Sequence, residues 1–117
     1  MTVKIYHNPR CSKSRETLKL LQAQGIEPDI IEYLKTPPST EELADILDKL
    51  GLDDPRDLMR KKEKEYKENN LDDASLSREQ LIAAMVKFPR LIERPVVLAN
   101  YKAAIGRPPE NVLAILS

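Results

Sequence analysis

Residues 3–21 have the pattern of a strand, a tight loop and a helix, and this pattern limits the possible folds more than any other stretch of the chain. Val3 and Ile5 alternate with polar side chains as in a short strand, and Asn8-Pro9 interrupt that pattern. Residues 16–21 have the composition of a helix. The stretch therefore predicts a strand that runs through a loop directly into a helix.

The only cysteine of the chain, Cys11, and its only histidine, His7, both lie in this loop. Cys11 is expected at the entrance of the helix, where unpaired N–H groups and the helix dipole stabilise an anion. Arg10, Lys13 and Arg15 favour the thiolate in the same way, because nearby cations lower the pKa of a thiol. The pattern predicts an anion site that contains a nucleophile.

A second interpretation of Cys11 is purely structural, since a free cysteine in a protein is often a small buried residue. The adjacent residues Arg10, Ser12 and Lys13 are polar, which argues against burial. The residues alone leave both interpretations open.

The charge balance argues against a nucleic-acid partner. The 117 residues contain 19 Lys plus Arg and 19 Asp plus Glu, and aromatic residues make up 4% of the chain. Such a chain has neither the basic patch that contacts phosphates nor a set of aromatic side chains that stacks on bases. We therefore expect no nucleic acid as a direct partner, and the length predicts one domain.

The cysteine content predicts a reduced, cytoplasmic protein. One cysteine cannot form an internal disulfide, and one Cys with one His cannot complete a structural zinc site. The N-terminus shows no apolar signal region, and the longest apolar run, residues 81–86, is too short to span a membrane. We expect no bound metal or cofactor, no targeting segment and no membrane association.

The first third of the chain predicts a βαβ unit. Leu18 and Leu21 give the first helix an apolar face, and Gly25 is placed to end it. Ile30, Ile31 and Tyr33 indicate a second strand. The two strands should be parallel, with the loop of Cys11 at the carboxyl end of the first, where open α/β sheets usually bind ligands.

The middle of the chain predicts three helical pieces. Ser39-x-x-Glu42 and Ser77-x-x-Gln80 have the form of capping boxes, and Pro89 should end the second of these helices. Between them, Asp54-Pro55 starts a shorter helical segment. The charged run 61–70 is interpreted as a solvated face or a loose connection.

The last third predicts a strand hairpin followed by a helix. Residues 95–99 are strongly β-prone, Asn100 offers a turn, and residues 103–105 can pair back. Pro108-Pro109-Glu110 then begin the last helix. The order β-α-β, helical block, β-β-α predicts an α/β, thioredoxin-like fold: one domain over residues 1–117, with a mixed four-stranded sheet and a helical insertion at about 39–90.

Five segments in this order resemble the glutaredoxin-linked, single-cysteine arsenate reductases, within the group that also contains the Spx-type transcription regulators. The segments are His7-Asn8-Pro9-x-Cys11-x-x-Ser14-Arg15, Glu32-Tyr33-Leu34-x-Thr36-Pro37-Pro38, Leu58-Met59-Arg60-Lys61, Glu93-Arg94-Pro95-Val96-Val97 and Gly106-Arg107-Pro108. Each is weak alone, but the five together are specific.

The resemblance implies a role for seven residues. Cys11 resembles the nucleophile that attacks the arsenic of arsenate, and Arg60, Arg94 and Arg107 resemble the arginines that surround the oxyanion and lower the pKa of the thiol. A planar guanidinium suits a tetrahedral oxyanion because it offers forked, permanently charged donors. Three further residues fall on positions that support the thiolate and shape the loop: His7, Ser14 and Arg15.

The position of a second redox cysteine in a C-x-x-C pair is occupied by Ser14, so an outside thiol must supply the electrons. In the family this co-substrate is glutathione, and glutaredoxin removes it as a mixed disulfide. The resemblance thus implies arsenate as substrate, and glutathione and glutaredoxin as partners. Pro95 lies where the fold places a cis peptide bond beside the thiol.

Two other functions stay open at this point. One keeps the glutathione-linked thiol chemistry but acts on another oxyanion or on a protein disulfide; the other is an Spx-like module that binds RNA polymerase. Apart from the resemblance, Arg60 is more typical of a helix end or a salt bridge than of a ligand site, and Arg94 and Arg107 are more typical of the surface beside a strand.

Overall fold

The computed structural model describes residues 2–116, which form two compact units. One unit consists of the described parts of residues 1–36 and 94–117, and the other of residues 37–93. That the chain is a single domain with an insertion at about 39–90 stays a prediction from the sequence.

The first unit is built on a four-stranded mixed sheet. Its strands are β1 (Lys4–Tyr6), β2 (Asp29–Ile31), β3 (Val96–Ala99) and β4 (Lys102–Ile105). They lie in the order β2-β1-β3-β4, with β1 parallel to β2 and antiparallel to β3, and with β3 antiparallel to β4. The predicted α/β, thioredoxin-like plan with a mixed four-stranded sheet is confirmed.

Helix α1 (Ser12–Ala23) connects the two parallel strands. Gln24 caps the end of the helix, and Gly25 follows with φ +76°, the left-handed conformation that glycine adopts at low cost. The second strand is shorter than predicted, because Tyr33 lies beyond its end in a turn. Ile30 is half exposed on this edge strand.

The core of this unit lies between the sheet and the helical segments on it. One cluster of buried apolar side chains joins β1 and β3 to α1 and to the last helical segment. Its members are Val3, Ile5, Leu21, Val97, Ala99, Val112 and Ile115. The alternation of Val3 and Ile5 with polar residues thus places one face of β1 in the core.

The second unit is helical. Its α-helices are α2 (Thr40–Leu50), α3 (Lys64–Glu68) and α4 (Arg78–Lys87), and 3₁₀ turns cover Pro55–Leu58 and Pro89–Leu91. Both predicted capping boxes are present, at Ser39 and Ser77. Five helical segments replace the three predicted, because the charged run contains α3 and Pro89 starts a 3₁₀ turn. No helix among residues 2–116 has the length and apolar character needed to cross a bilayer.

The last helical segment is a 3₁₀ helix, Pro109–Ile115. Val112 and Ile115, three residues apart, are buried, as expected for a helix with three residues per turn. Leu113, which the sequence also placed on this helix, is 39% exposed.

The β3–β4 hairpin carries a testable strain at its turn. Asn100 and Tyr101 both have positive φ, +53° and +61°, and the Tyr101 side chain is 94% exposed. A left-handed conformation costs a non-glycine residue about 1–2 kcal/mol, whereas glycine adopts it freely. Since the exposed ring contributes little packing, Tyr101→Gly should raise the free energy of unfolding by about 0.5–1 kcal/mol in urea denaturation, after allowance for the entropy of the unfolded chain.

The matched control is Lys102→Gly, on the adjacent exposed residue of β4. This substitution should lower the free energy of unfolding by about 0.5–1 kcal/mol, because glycine in a strand loses more conformational entropy on folding and has no side chain to pack. Equal effects of the two substitutions would contradict the strain at Tyr101.

Candidate active site

Cys11 lies at the N-terminal cap of α1, at the end of a loop fixed by its own backbone hydrogen bonds. The N–H of His7 donates to the carbonyl oxygen of Ile31 at 2.8 Å, and the N–H of Cys11 donates to the carbonyl oxygen of Asn8 at 3.0 Å. The carbonyl of Cys11 accepts from the N–H of Arg15 at 3.0 Å, which starts the helix. The predicted position of the thiol at the helix entrance is therefore confirmed, and backbone N–H groups of the first turn interact with the sulfur.

Two opposing effects set the pKa of the partly buried Cys11 thiol. Burial raises this pKa. Three neighbouring groups lower it, and their combined effect is larger than that of burial: the backbone N–H of Ser14, the Arg94 guanidinium and the backbone N–H of Lys13. The net pKa lies below the ordinary value for a cysteine, so the thiolate fraction at neutral pH is raised. The sequence predicted this direction from the N–H groups of the helix start and from flanking cations. The contributions that lower the pKa come from backbone N–H groups and from Arg94, and the side-chain charges of Arg10, Lys13 and Arg15 are not among them.

His7 and Ser14 form a buried pair beneath the loop. His7 Nδ1 and Ser14 Oγ are hydrogen-bonded, and Ser14 Oγ also accepts from the backbone N–H of Asn8 at 3.0 Å. Burial lowers the pKa of His7; the Glu32 carboxylate raises it and the Arg15 charge lowers it, so its imidazole is neutral at neutral pH. This pair shapes the loop through hydrogen bonds rather than through charge.

Arg15 and Asn8 stabilise the outer part of the loop. Arg15 Nη1 donates to the carbonyl oxygen of Pro9 at 2.9 Å, and the Asn8 side-chain oxygen accepts from the backbone N–H of Arg10 at 3.0 Å. The guanidinium of Arg15 is thus directed at the backbone of the loop, as a shaping residue would be.

Arg94 and Arg107 each precede a proline, and both peptide bonds are cis. The fold indicated Arg94-Pro95 as the place for a cis bond, and nothing in the sequence indicated the one at Arg107-Pro108. Arg94 lies beside Cys11, and its Nε is buried with no hydrogen-bond partner among residues 2–116. Arg107 lies two residues beyond the end of β4, and its N–H donates to the carbonyl oxygen of Ile105 at 2.9 Å. Both arginines lie in the same unit as Cys11.

Gly106 allows β4 and α1 to approach closely. A Cβ atom at this position would lie 2.5 Å from Thr17 Oγ1 and 2.8 Å from Pro95 Cγ. Thr17 is fully buried, and the Gly106 N–H donates to the carbonyl oxygen of Pro95 at 2.9 Å. Glycine is therefore required by contact rather than by conformation, and this contact positions the residue that follows, Arg107.

Arg60 belongs to the other unit, where its backbone is firmly held. Its N–H donates to the carbonyl oxygen of Leu91 at 2.7 Å, next to a bridge between Met59 and Ile92. Its guanidinium forms an ion pair with Glu63 at 3.3 Å, and Nη1 is buried without a hydrogen bond of good geometry within the described chain. The role that the resemblance gives Arg60 stays a prediction.

Tyr33 is a site residue that the sequence did not identify. It is fully buried, and its hydroxyl lies near the Arg94 side chain, the Cys11 thiol and Asn8. Burial raises its pKa to about 12, and the Arg94 charge opposes that shift. The available signal was its position just after β2, whose carboxyl end lies beside the loop of His7.

The loop of Cys11 can hold an anion, but no metal centre is visible in the described chain. Among residues 2–116, no group of three or more His, Cys, Asp or Glu side chains is placed to bind a metal ion.

The profile of the ArsC family matches residues 6–115. The chain belongs to the ArsC family.

Three proteins from other bacteria are similar to the chain over nearly its whole length. A protein of Haemophilus influenzae named arsenate reductase is 54% identical over 99% of this chain and 100% of its own. An uncharacterized protein of Escherichia coli K12, YfgD, is 61% identical over 97% of this chain and 96% of its own. The solved structure of an arsenate reductase from Vibrio cholerae is 59% identical, covers 99% of this chain and 98% of its own, and has a TM-score of 0.96.

The lowered pKa of Cys11 predicts the pH dependence of its alkylation. Iodoacetamide reacts with the thiolate, so the rate follows the thiolate fraction and reaches half its maximum at the pKa. A lowered pKa moves this midpoint to lower pH, so the native protein should show a midpoint below about 8.5. Because Cys11 is the only cysteine, the denatured chain is an internal control with a midpoint near that value.

A second control for the pKa is Arg94→Gln, which removes the nearby charge and should move the midpoint of the native protein upward. Identical midpoints for native and denatured protein would refute the stabilised thiolate.

The close contact at Gly106 predicts a large loss of stability for Gly106→Ala. The added methyl group would overlap Thr17 and Pro95, and overpacking of this kind costs about 1–3 kcal/mol. Urea denaturation should show that loss. In a double-mutant cycle, Thr17→Ala should recover part of it, because it removes the Thr17 atoms that the methyl group meets. Simple additivity of the two substitutions would show that the contact is not the cause.

Proposed function

We propose that this protein reduces arsenate to arsenite with Cys11 as the nucleophile. The observation that carries the proposal is a single thiol with a lowered pKa, held at the N-terminus of a helix beside an arginine whose Nε is buried. The relative from Haemophilus influenzae and the protein from Vibrio cholerae, both named arsenate reductase, support arsenate as the substrate. Glutathione and glutaredoxin are proposed as the source of electrons.

In the first step the Cys11 thiolate attacks the arsenic of dihydrogen arsenate. A sulfur–arsenic bond forms, an arsenic–oxygen bond breaks, and the hydroxide leaves as water after taking up one proton. Arg94 lowers the cost of bringing an anion to a thiolate, because its guanidinium is a permanent charge beside the sulfur. Arg107 is proposed as a second donor to the oxyanion.

In the next steps two electrons come from thiols outside the chain. Glutathione replaces the remaining hydroxyl on arsenic and releases water. The glutaredoxin thiolate then attacks the glutathione sulfur, so that a disulfide forms while the electron pair of the broken sulfur–arsenic bond stays on arsenic. Water finally displaces arsenite from Cys11. An outside thiol is needed because Cys11 is the only cysteine of the chain.

The proposal predicts that Cys11→Ser abolishes turnover and leaves the fold intact. Serine is nearly isosteric with cysteine but a far weaker nucleophile at neutral pH. The measurement is NADPH oxidation with arsenate, glutathione, glutaredoxin and glutathione reductase. Arsenate-dependent oxidation should fall to the background rate in the variant, whose circular dichroism and unfolding midpoint should match those of the native protein.

Three results of the coupled assay test the separate parts of this proposal. Omission of glutaredoxin, with all else present, should stop the reaction if glutaredoxin supplies the attacking thiol. Arsenate-dependent turnover that persists in Cys11→Ser would disprove Cys11 as the nucleophile. No arsenate-dependent turnover by the native protein, with Cys11 still alkylated readily at neutral pH, would exclude arsenate as the substrate.

A further inference from the structure

Tyr33 is held rigidly at the edge of the thiol site. It follows β2 in a tight turn in which the Glu32 carbonyl oxygen accepts from the N–H groups of Lys35 and Thr36, both at 2.9 Å. The side chain is fully buried, although the residues on either side of it are partly or largely exposed. The turn thus directs one aromatic side chain into the interior of the unit.

Within residues 2–116, the hydroxyl of Tyr33 is a buried polar group without a hydrogen bond of good geometry. The side chains of Arg94 and Asn8 and the thiol of Cys11 lie near it, yet no group among residues 2–116 forms a hydrogen bond of good geometry with it. Arg94 Nε is in the same condition. Most buried polar groups have a partner, so two orphaned groups beside one thiol indicate a missing ligand.

The missing partner should accept hydrogen bonds, because both orphaned groups are donors. Arg94 Nε can only donate, and a phenol donates readily to an anion. The partner lies beside the stabilised thiolate, so it should be a group that can be bound next to the Cys11 sulfur. The Arg94 guanidinium favours an anion with several oxygen atoms. A tetrahedral oxyanion meets each of these requirements.

We infer that the Tyr33 hydroxyl is a binding group of this site, which donates a hydrogen bond to an oxygen of the oxyanion that Cys11 attacks. The inference rests on the proposed function for the identity of the oxyanion, arsenate. Tyr33 keeps its proton throughout: it stabilises charge on the bound anion and transfers nothing. It therefore differs from Arg94, which contributes charge.

The electrostatic surroundings support a neutral donor at this position. Burial raises the pKa of Tyr33 to about 12, and the nearby Cys11 thiolate acts in the same direction, although Arg94 opposes it. The phenol consequently stays protonated at neutral pH, where the lowered pKa of Cys11 favours the thiolate, and it can donate there. A phenolate here would repel both the thiolate and the incoming anion.

The test is Tyr33→Phe, which removes one oxygen atom and keeps the ring. The affinity for arsenate is measured from the arsenate concentration that protects Cys11 against iodoacetamide, and kcat and KM are measured in the coupled assay. A hydrogen bond to a charged group is worth about 1.5–3 kcal/mol, so arsenate affinity and kcat/KM should each fall about 10- to 100-fold. The matched control is Tyr101→Phe, at the 94% exposed turn, which should change neither.

Two measurements on the free variant separate a ligand-binding role from a structural one. Removal of a buried hydroxyl that has no partner should leave the melting temperature unchanged or raise it. The alkylation midpoint of Cys11 should stay within a few tenths of a pH unit. A fall in melting temperature, or a large rise in the midpoint with unchanged arsenate affinity, would show that the hydroxyl serves the fold or the thiolate, and would overturn the inference.

The same measurements distinguish failure of this inference from failure of the proposed function. Native turnover of arsenate with unchanged affinity and kcat/KM in Tyr33→Phe would overturn the inference and leave the function standing. Absence of native turnover, with arsenate or sulfate protecting Cys11 and doing so at least tenfold less well in the variant, would overturn the function and support the inference. If the native protein neither turns over arsenate nor shows protection of Cys11 by any oxyanion, both are wrong.

Discussion

The stabilisation of a thiolate by the first turn of α1 is the interaction on which the rest of the site depends. It works only if the loop after β1 delivers Cys11 to the cap of the helix and keeps it there. The buried pair of His7 and Ser14 holds that loop from beneath, and Arg15 holds it from outside. The contact of Gly106 with Thr17 then brings the end of β4 against the same helix. Each of these residues acts on the thiol through the backbone.

The site combines stabilising and destabilising features in one small volume. Burial opposes the Cys11 thiolate, and Arg94 together with helix N–H groups reverses that effect. In the described part of the chain, Arg94 Nε and the Tyr33 hydroxyl have no hydrogen bond of good geometry, and an orphaned buried group costs about 1–3 kcal/mol. A site optimised for stability alone would satisfy or remove these groups. Their persistence is expected where they are reserved for a ligand.

The sequence predicted the features that depend on neighbouring residues. The capping boxes at Ser39 and Ser77, the left-handed Gly25 and the entry of Cys11 into α1 are local patterns, and each is found as predicted. The order of elements then determined the fold, because few topologies accept a βαβ unit followed by a β hairpin.

The features that escaped the sequence depend on contacts between distant residues. Thr17 meets Gly106 across 89 positions, and neither residue alone indicates such a contact. The sequence assigns Tyr33 to a strand because aromatic residues favour strands. The strand β2 ends two residues earlier, and Tyr33 lies in a turn near Cys11. The flanking cations illustrate the same limit: Arg15 is close to Cys11 in sequence, yet its guanidinium binds the Pro9 carbonyl. The charge that acts on the sulfur is that of Arg94, which only the resemblance to the family had indicated.

Ser14 links the architecture of the loop to the proposed source of electrons. Its hydroxyl is fully buried and interacts with both His7 and the backbone of Asn8, so it is committed to holding the loop. A thiol in this place would be a weaker hydrogen-bonding group, and its longer bonds would disturb the pair. The residue that keeps Cys11 at the cap of the helix thus occupies the position of a resolving thiol. In the proposed mechanism, dependence on an outside reductant therefore follows from how the loop is held together.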